Sequence, residues 1–153
     1  MPNALELKVP PVALVCLFAA MMWLASAYSP LSMALPWRTA IAVIFCGVGL
    51  AISLAGVLAF RRAKTTVNPI TPEATTVMVT SGIYGFSRNP MYLGLLFALA
   101  GWATFLSHLL ALALLPLFVL YMNRFQIMPE ERALSAKFPH LFTAYKNSVR
   151  RWL

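Results

Sequence analysis

The sequence predicts an all-α integral membrane protein of about four transmembrane helices, with a short C-terminal helical hairpin and an amphipathic interfacial helix after it. Three observations carry this. Of 153 residues, 61% are hydrophobic and only 10% charged, more apolar surface than a soluble domain of this size can bury. Four apolar runs, roughly 11–28, 37–60, 91–106 and 109–127, approach or exceed the about twenty residues that a helical span needs. Charge is concentrated between and after the runs, giving a net +8.

The organisation is a single membrane domain. Two N-terminal spans occupy 11–60, a polar connection 61–90, a helical hairpin 91–127 and an amphipathic tail 128–153. In the first span, Lys8, the apolar run and Ala25-Ser26-Ala27 resemble a signal peptide with a cleavage site, and the expectation is that the segment is retained. Gly47, Gly49, Ser53 and Gly56 line the second span at spacings that let helices approach closely. The third and fourth runs are short and separated only by Ser107 and His108, which predicts a tight hairpin.

After Pro129 the apolar residues Leu134, Phe138, Leu141, Phe142, Tyr145, Val149 and Trp152 recur every three or four positions, with Lys and Arg between them. Pro139 is expected to split this tail into two helices. The tail is expected to lie in the headgroup plane with Trp152 and the terminal arginines as anchors.

Orientation follows from the basic residues, which resist translocation. Arg61, Arg62, Lys64 and Arg88 lie in the connection, and Arg124, Arg132, Lys137, Lys146, Arg150 and Arg151 at or beyond the end of the last run, whereas only Arg38 and His108 fall on the other side. Both termini and the connection are therefore expected in the cytoplasm, with the chain a multi-pass protein of a bacterial inner membrane.

Composition excludes several chemistries. A basic surplus in so apolar a chain suits anionic membrane lipids, and no basic patch interleaved with aromatics suggests nucleic acid. Cys16 and Cys46 stand alone in apolar runs and read as small buried residues. With two His and no Asp, a Ser/His/Asp triad is ruled out and a metal cluster disfavoured. Catalytic residues are not assigned, and no metal is expected.

Two places are left for a site. Asn89-Pro90 is a strong helix-start pair, because Asn can cap free backbone donors and Pro fits the first turn. Glu130 and Glu131 follow Pro129, where carboxylates either favour a helix N-terminal dipole or hold a ribose hydroxyl or an amino group of a cationic ligand.

These two places also carry a resemblance. SGIYGFSRNPMYLG at 81–94, with the later EERALSAKFPHLFTAYKNSVRRWL, is similar to the isoprenylcysteine carboxyl methyltransferases and the related phospholipid methyltransferases. Members carry an Arg, His or Asn, Pro, any residue, Tyr, any residue, Gly motif, then a helical hairpin, then paired Glu. The likeness covers roughly residues 66–153. It implies S-adenosylmethionine as cofactor and a lipophilic small molecule or lipid as methyl acceptor, through a carboxylate, thiol or amine. By position it implies cofactor contacts from Thr76, Val77, Met78 and Val79, from Tyr84, from Arg88, Asn89, Pro90, Met91 and Tyr92, and from Glu130 and Glu131.

Two departures bear on the acceptor. Asn89 stands where the isoprenylcysteine enzymes have His, and it does not titrate near neutral pH. Gln126 stands where they have a substrate-contacting Arg, with Arg124 close by, so these two are the candidate substrate contacts and a prenylcysteine carboxylate is disfavoured. Phe142 replaces a usual Tyr. Two other readings are a membrane reductase of the sterol-reductase type using a nicotinamide cofactor, against which the chain lacks a longer cofactor-binding extension, and a non-catalytic membrane scaffold.

Overall fold

In the computed structural model, which describes residues 6–63 and 77–153, the chain is all-helical. Helix α1 spans Pro11–Tyr28, α2 Arg38–Arg62, α3 Pro90–Leu106 and α4 Leu109–Tyr121, followed by a π-helical segment Met122–Ile127, then α5 Met128–Lys137 and α6 Pro139–Ser148. A 3₁₀ turn, Gly82–Gly85, precedes α3. Helices α1, α2 and the unbroken stretch Leu109–Lys137 are long and apolar enough to cross a membrane, and α3 is a shorter apolar helix of 17 residues. Exposed Val43, Ile44, Leu50 and Leu120 give the bundle an apolar outer face, as expected of side chains that meet lipid.

Successive spans alternate in direction, and α3 sits at the centre against α1, α2 and α4. The α2–α3 pair is the closest. A Cβ on Gly49 would stand 2.5 Å from the Gly94 carbonyl oxygen, and one on Gly101 2.9 Å from that of Ala42. Small residues thus let two backbones touch where no hydrophobic force separates lipid from protein. Gly49, Ser53 and Gly56 serve this contact, with the Ser53 hydroxyl donating to the Met91 carbonyl at 3.4 Å; Gly47 faces open space.

Core packing runs between α1, α3 and α4 through Phe18, Met22, Leu99 and Phe118, with Phe18 and Phe118 edge to face. The Trp102 indole donates to the Ala19 carbonyl at 3.0 Å. Cys16 and Cys46 are not buried, contrary to expectation: both are exposed. Apolar neighbours in the sequence do not report burial when the outer face of a bundle is as apolar as its core.

The hairpin turns within Ser107 and His108. Ser107 takes the left-handed conformation (φ 49°) and His108 is extended. The loop after α1 pairs with this turn, Met33 N–H donating to the Ser107 carbonyl and Leu109 N–H to that of Leu31.

At the other end, the expected helix start at Pro129 is absent. The helix runs from Leu109 to Lys137 without a break, and the six-residue π segment immediately precedes Met128. Proline at 129 has no N–H for the Phe125 carbonyl, and the backbone N–H of Leu7 fills that vacancy at 3.0 Å. Pro139 does divide the tail, as the first residue of α6. Helix α6 turns Phe142 and Tyr145 onto Tyr84, Met78 and Val79, leaving Leu141 outward. Trp152 packs beside the main core and its indole donates to Asn123 at 3.0 Å.

Candidate functional site

The short Asn89-Pro90 start of α3 fixes the position of Tyr92, two residues into the first turn and buried. Across from it, the π segment and the first turn of α5 place Gln126 and Glu130 four residues apart on one face. The Tyr92 hydroxyl donates to Glu130 Oε1. The Gln126 amide donates to the same oxygen at 2.6 Å and to the Tyr92 oxygen at 3.3 Å. Two sequence motifs 38 residues apart thereby close into one buried polar network, and a carboxyl removed from water is tolerable only with donors of this kind.

Tyr84 stands close enough to feel this carboxylate. Burial, then Tyr145, then Glu130 hold its hydroxyl far above the ordinary phenol range, so it is a neutral donor at any physiological pH. Tyr145 donates to the Tyr84 carbonyl at 2.7 Å; burial pushes its own pKa up to about 12, with the Arg88 charge pulling the other way. Phe60 packs edge-on to Tyr84 at 5.3 Å.

A second cluster adjoins the first. Glu131 receives Arg88 at 3.1 Å and Arg151 at 2.7 Å, the latter through both Nε and a terminal nitrogen, the bidentate fork that arginine favours. The C-terminal segment after α6 is clamped over the motif by backbone contacts as well. Arg88 N–H donates to the Arg150 carbonyl at 3.0 Å, and the Asn89 side-chain amide donates to that of Arg151 at 3.0 Å. Asn89 therefore makes no side-chain cap for α3; its amide binds the tail.

Of the residues singled out from sequence, the structure joins Tyr92, Gln126 and Glu130 in one hydrogen-bonded network, sets Tyr84 in the cluster with Phe142 and Tyr145, and brings Arg88, Asn89 and Glu131 to the tail. Met78 and Val79 lie beneath Tyr84 with Phe142 and Tyr145. Pro90 is buried at the helix start, and Met91 turns to α2, against Gly56. Val77 is half exposed, and Thr76 lies outside the described residues. Arg124 points to Glu6, which it meets at 2.7 Å. Sequence reasoning missed both Glu6 and the structural use of Arg151. Glu6 carried a weak signal, as one of four acids in a chain with net charge +8; Arg151 carried none, being one of many tail cations.

The donor set suits a cationic, hydroxyl-bearing ligand. A buried carboxylate accepts from hydroxyl or ammonium groups, and tyrosine rings beside it offer their faces to a cation.

Comparison with known proteins bears on this site. The family model described as phospholipid methyltransferase matches residues 37–140, a stretch that includes Tyr92, Gln126 and Glu130. An uncharacterized protein of Haemophilus influenzae is 44% identical over 63 residues, covering 41% of this chain and the whole of that protein. No solved structure matches.

Proposed function

The chain belongs to the phospholipid methyltransferase family, and from that premise we propose that it transfers a methyl group from S-adenosylmethionine to a lipophilic acceptor at the cytoplasmic face of a membrane. The observation that carries the proposal is the Tyr92–Gln126–Glu130 network, which unites the two motifs at one end of the bundle. S-adenosylmethionine supplies an activated methyl group on a sulfonium, a leaving group good enough that in-line displacement asks mainly for positioning.

The residues have matching tasks. Glu130 accepts hydrogen bonds from the cofactor and offsets its positive charge; Tyr92 and Gln126 orient that carboxylate. Tyr84, Met78 and Val79 pack with Phe142 and Tyr145 in an apolar cluster, and the resemblance makes Gln126 and Arg124 the candidate acceptor contacts. Each of these is assigned a binding or positioning role rather than that of a general base. An acceptor already nucleophilic at neutral pH, a carboxylate or thiolate, fits this better than a protonated amine.

Two features support a lipid-phase acceptor on the cytoplasmic side. An apolar groove of about 570 Å³, lined by Phe45, Leu96, Phe97, Leu115 and Val119 among others, opens between α2, α3 and α4, and Leu96 lies one helical turn from Tyr92. Among the described residues, Lys8, Arg61, Arg62, Arg88, Arg124, Arg132, Lys137, Lys146, Arg150 and Arg151 gather toward the Tyr92 end while Arg38 lies at the other, the asymmetry expected of a cytoplasmic site.

The test is label transfer. Protein in nanodiscs, incubated with methyl-labelled S-adenosylmethionine and a membrane lipid extract, is expected to move label into a lipid-soluble product. Thermal protection by a nicotinamide cofactor and not by S-adenosylmethionine would instead identify a reductase.

A further inference from the structure

The π-helical segment Met122–Ile127 is the least regular part of a long helix, and it supplies Gln126 while setting the rotation at which Glu130 leaves it. Such segments are intrinsically unfavoured and persist where surrounding contacts over-determine them. Here the contacts come from the residues that precede α1. Leu7 N–H donates to the Phe125 carbonyl left free by Pro129. Glu6, itself only 7% exposed, reaches Arg124 within the segment at 2.7 Å and also binds Arg132 in α5. It thus ties the π segment to the helix that follows it. Leu7 adopts φ 57° to make this approach, a conformation uncommon for a residue other than glycine.

We propose that Glu6 is a positioning residue for the site: with the Leu7 N–H it braces the π segment and fixes where Gln126 and Glu130 present themselves to the cofactor. This rests on the methyltransferase reading of the site. It assigns a role to a residue outside the 37–140 stretch matched by the family model. Arg124 then serves first as the brace's anchor. The physical logic is that a buried carboxylate holding two cations about two helical turns apart locks their relative rotation, and a displacement of about 1 Å in a binding group costs up to a hundredfold.

The experiment compares wild type, Glu6→Gln and Glu6→Asp in nanodiscs by two measurements. The first is amide hydrogen exchange of the ligand-free proteins. Glu6→Gln is expected to speed exchange at residues 122–130 by about tenfold or more, leaving α2 and the centre of α3 unchanged. The second is S-adenosylmethionine affinity: Glu6→Gln is expected to weaken it about tenfold at an unchanged thermal midpoint, with Glu6→Asp, which keeps the charge, recovering most of it. Unchanged exchange at 122–130 overturns the brace. Faster exchange with unaltered affinity overturns the positioning role. If wild type binds no S-adenosylmethionine, the methyltransferase reading falls and the positioning role with it, while the exchange data still decide whether the brace exists.

Discussion

The two ends of the helical bundle are closed in different ways. At the Ser107–His108 end the chain is closed largely by main chain: the loop after α1 bonds the hairpin turn through Met33 and Leu109, His108 is buried with one ring nitrogen 3.2 Å from the Ser29 carbonyl, and Tyr28 and Trp37 project outward as aromatics do at a membrane interface. At the Tyr92–Glu130 end the closure is made of side chains. Three of the chain's four acids, with Arg88, Arg124, Arg132 and Arg151, are bound into networks there. Ordering and desolvating that many polar groups is unfavourable unless each finds a partner. The contrast teaches that one end is held by main-chain bonds and the other by buried side-chain networks, and it is the second that the proposed function assigns to a ligand.

Four substitutions break or sharpen this contrast. Glu130→Ala should have the largest effect on binding, lowering S-adenosylmethionine affinity more than about a hundredfold by titration calorimetry. The protein should also lose about 1–3 kcal/mol of stability, because the Tyr92 hydroxyl is left buried without its acceptor and the Gln126 amide loses the shorter of its two bonds in the network. Gly94→Val, in the packed middle, should lower the thermal midpoint by an amount corresponding to about 1–3 kcal/mol, since α2 must move away to admit the side chain, with affinity falling only as α3 shifts. Arg151→Ala, which frees the tail from Glu131, should weaken cofactor binding by about threefold to tenfold with a stability change under about 1 kcal/mol, because Arg151 is 31% exposed. His108→Ala, at the opposite end, should cost about 1–2 kcal/mol of stability in thermal unfolding, for a lost hydrogen bond and filled volume, and leave affinity unchanged. Equal loss of affinity from His108→Ala and Arg151→Ala would erase the distinction between the ends.

Much of the fold was legible because it is written locally. Apolar run lengths marked the spans, Ser107-His108 marked the hairpin turn, and Pro139 marked the break before α6. The paired motifs named Tyr92 and Glu130 before any distance was known. What stayed hidden depends on contacts between distant segments. A proline normally starts a helix, so Pro129 read as a beginning; only the Leu7 N–H, 118 residues from Phe125, shows why the helix passes through it. The Asn89 amide looked like a cap and is spent on Arg151, 62 residues away. The π segment has no sequence period of its own. Cys16 and Cys46 read as buried because apolar surroundings carry no inside-outside signal in a membrane bundle.

The most direct test of the central claim, that Tyr92 and Glu130 act as one unit in holding the methyl donor, is a double-mutant cycle on S-adenosylmethionine affinity with Tyr92→Phe, Glu130→Gln and the pair, in nanodiscs. The structure predicts strong non-additivity, a coupling of about 1 kcal/mol or more, because each change already dismantles the shared hydrogen bond. Strictly additive losses, or single variants that bind as wild type does, would contradict it.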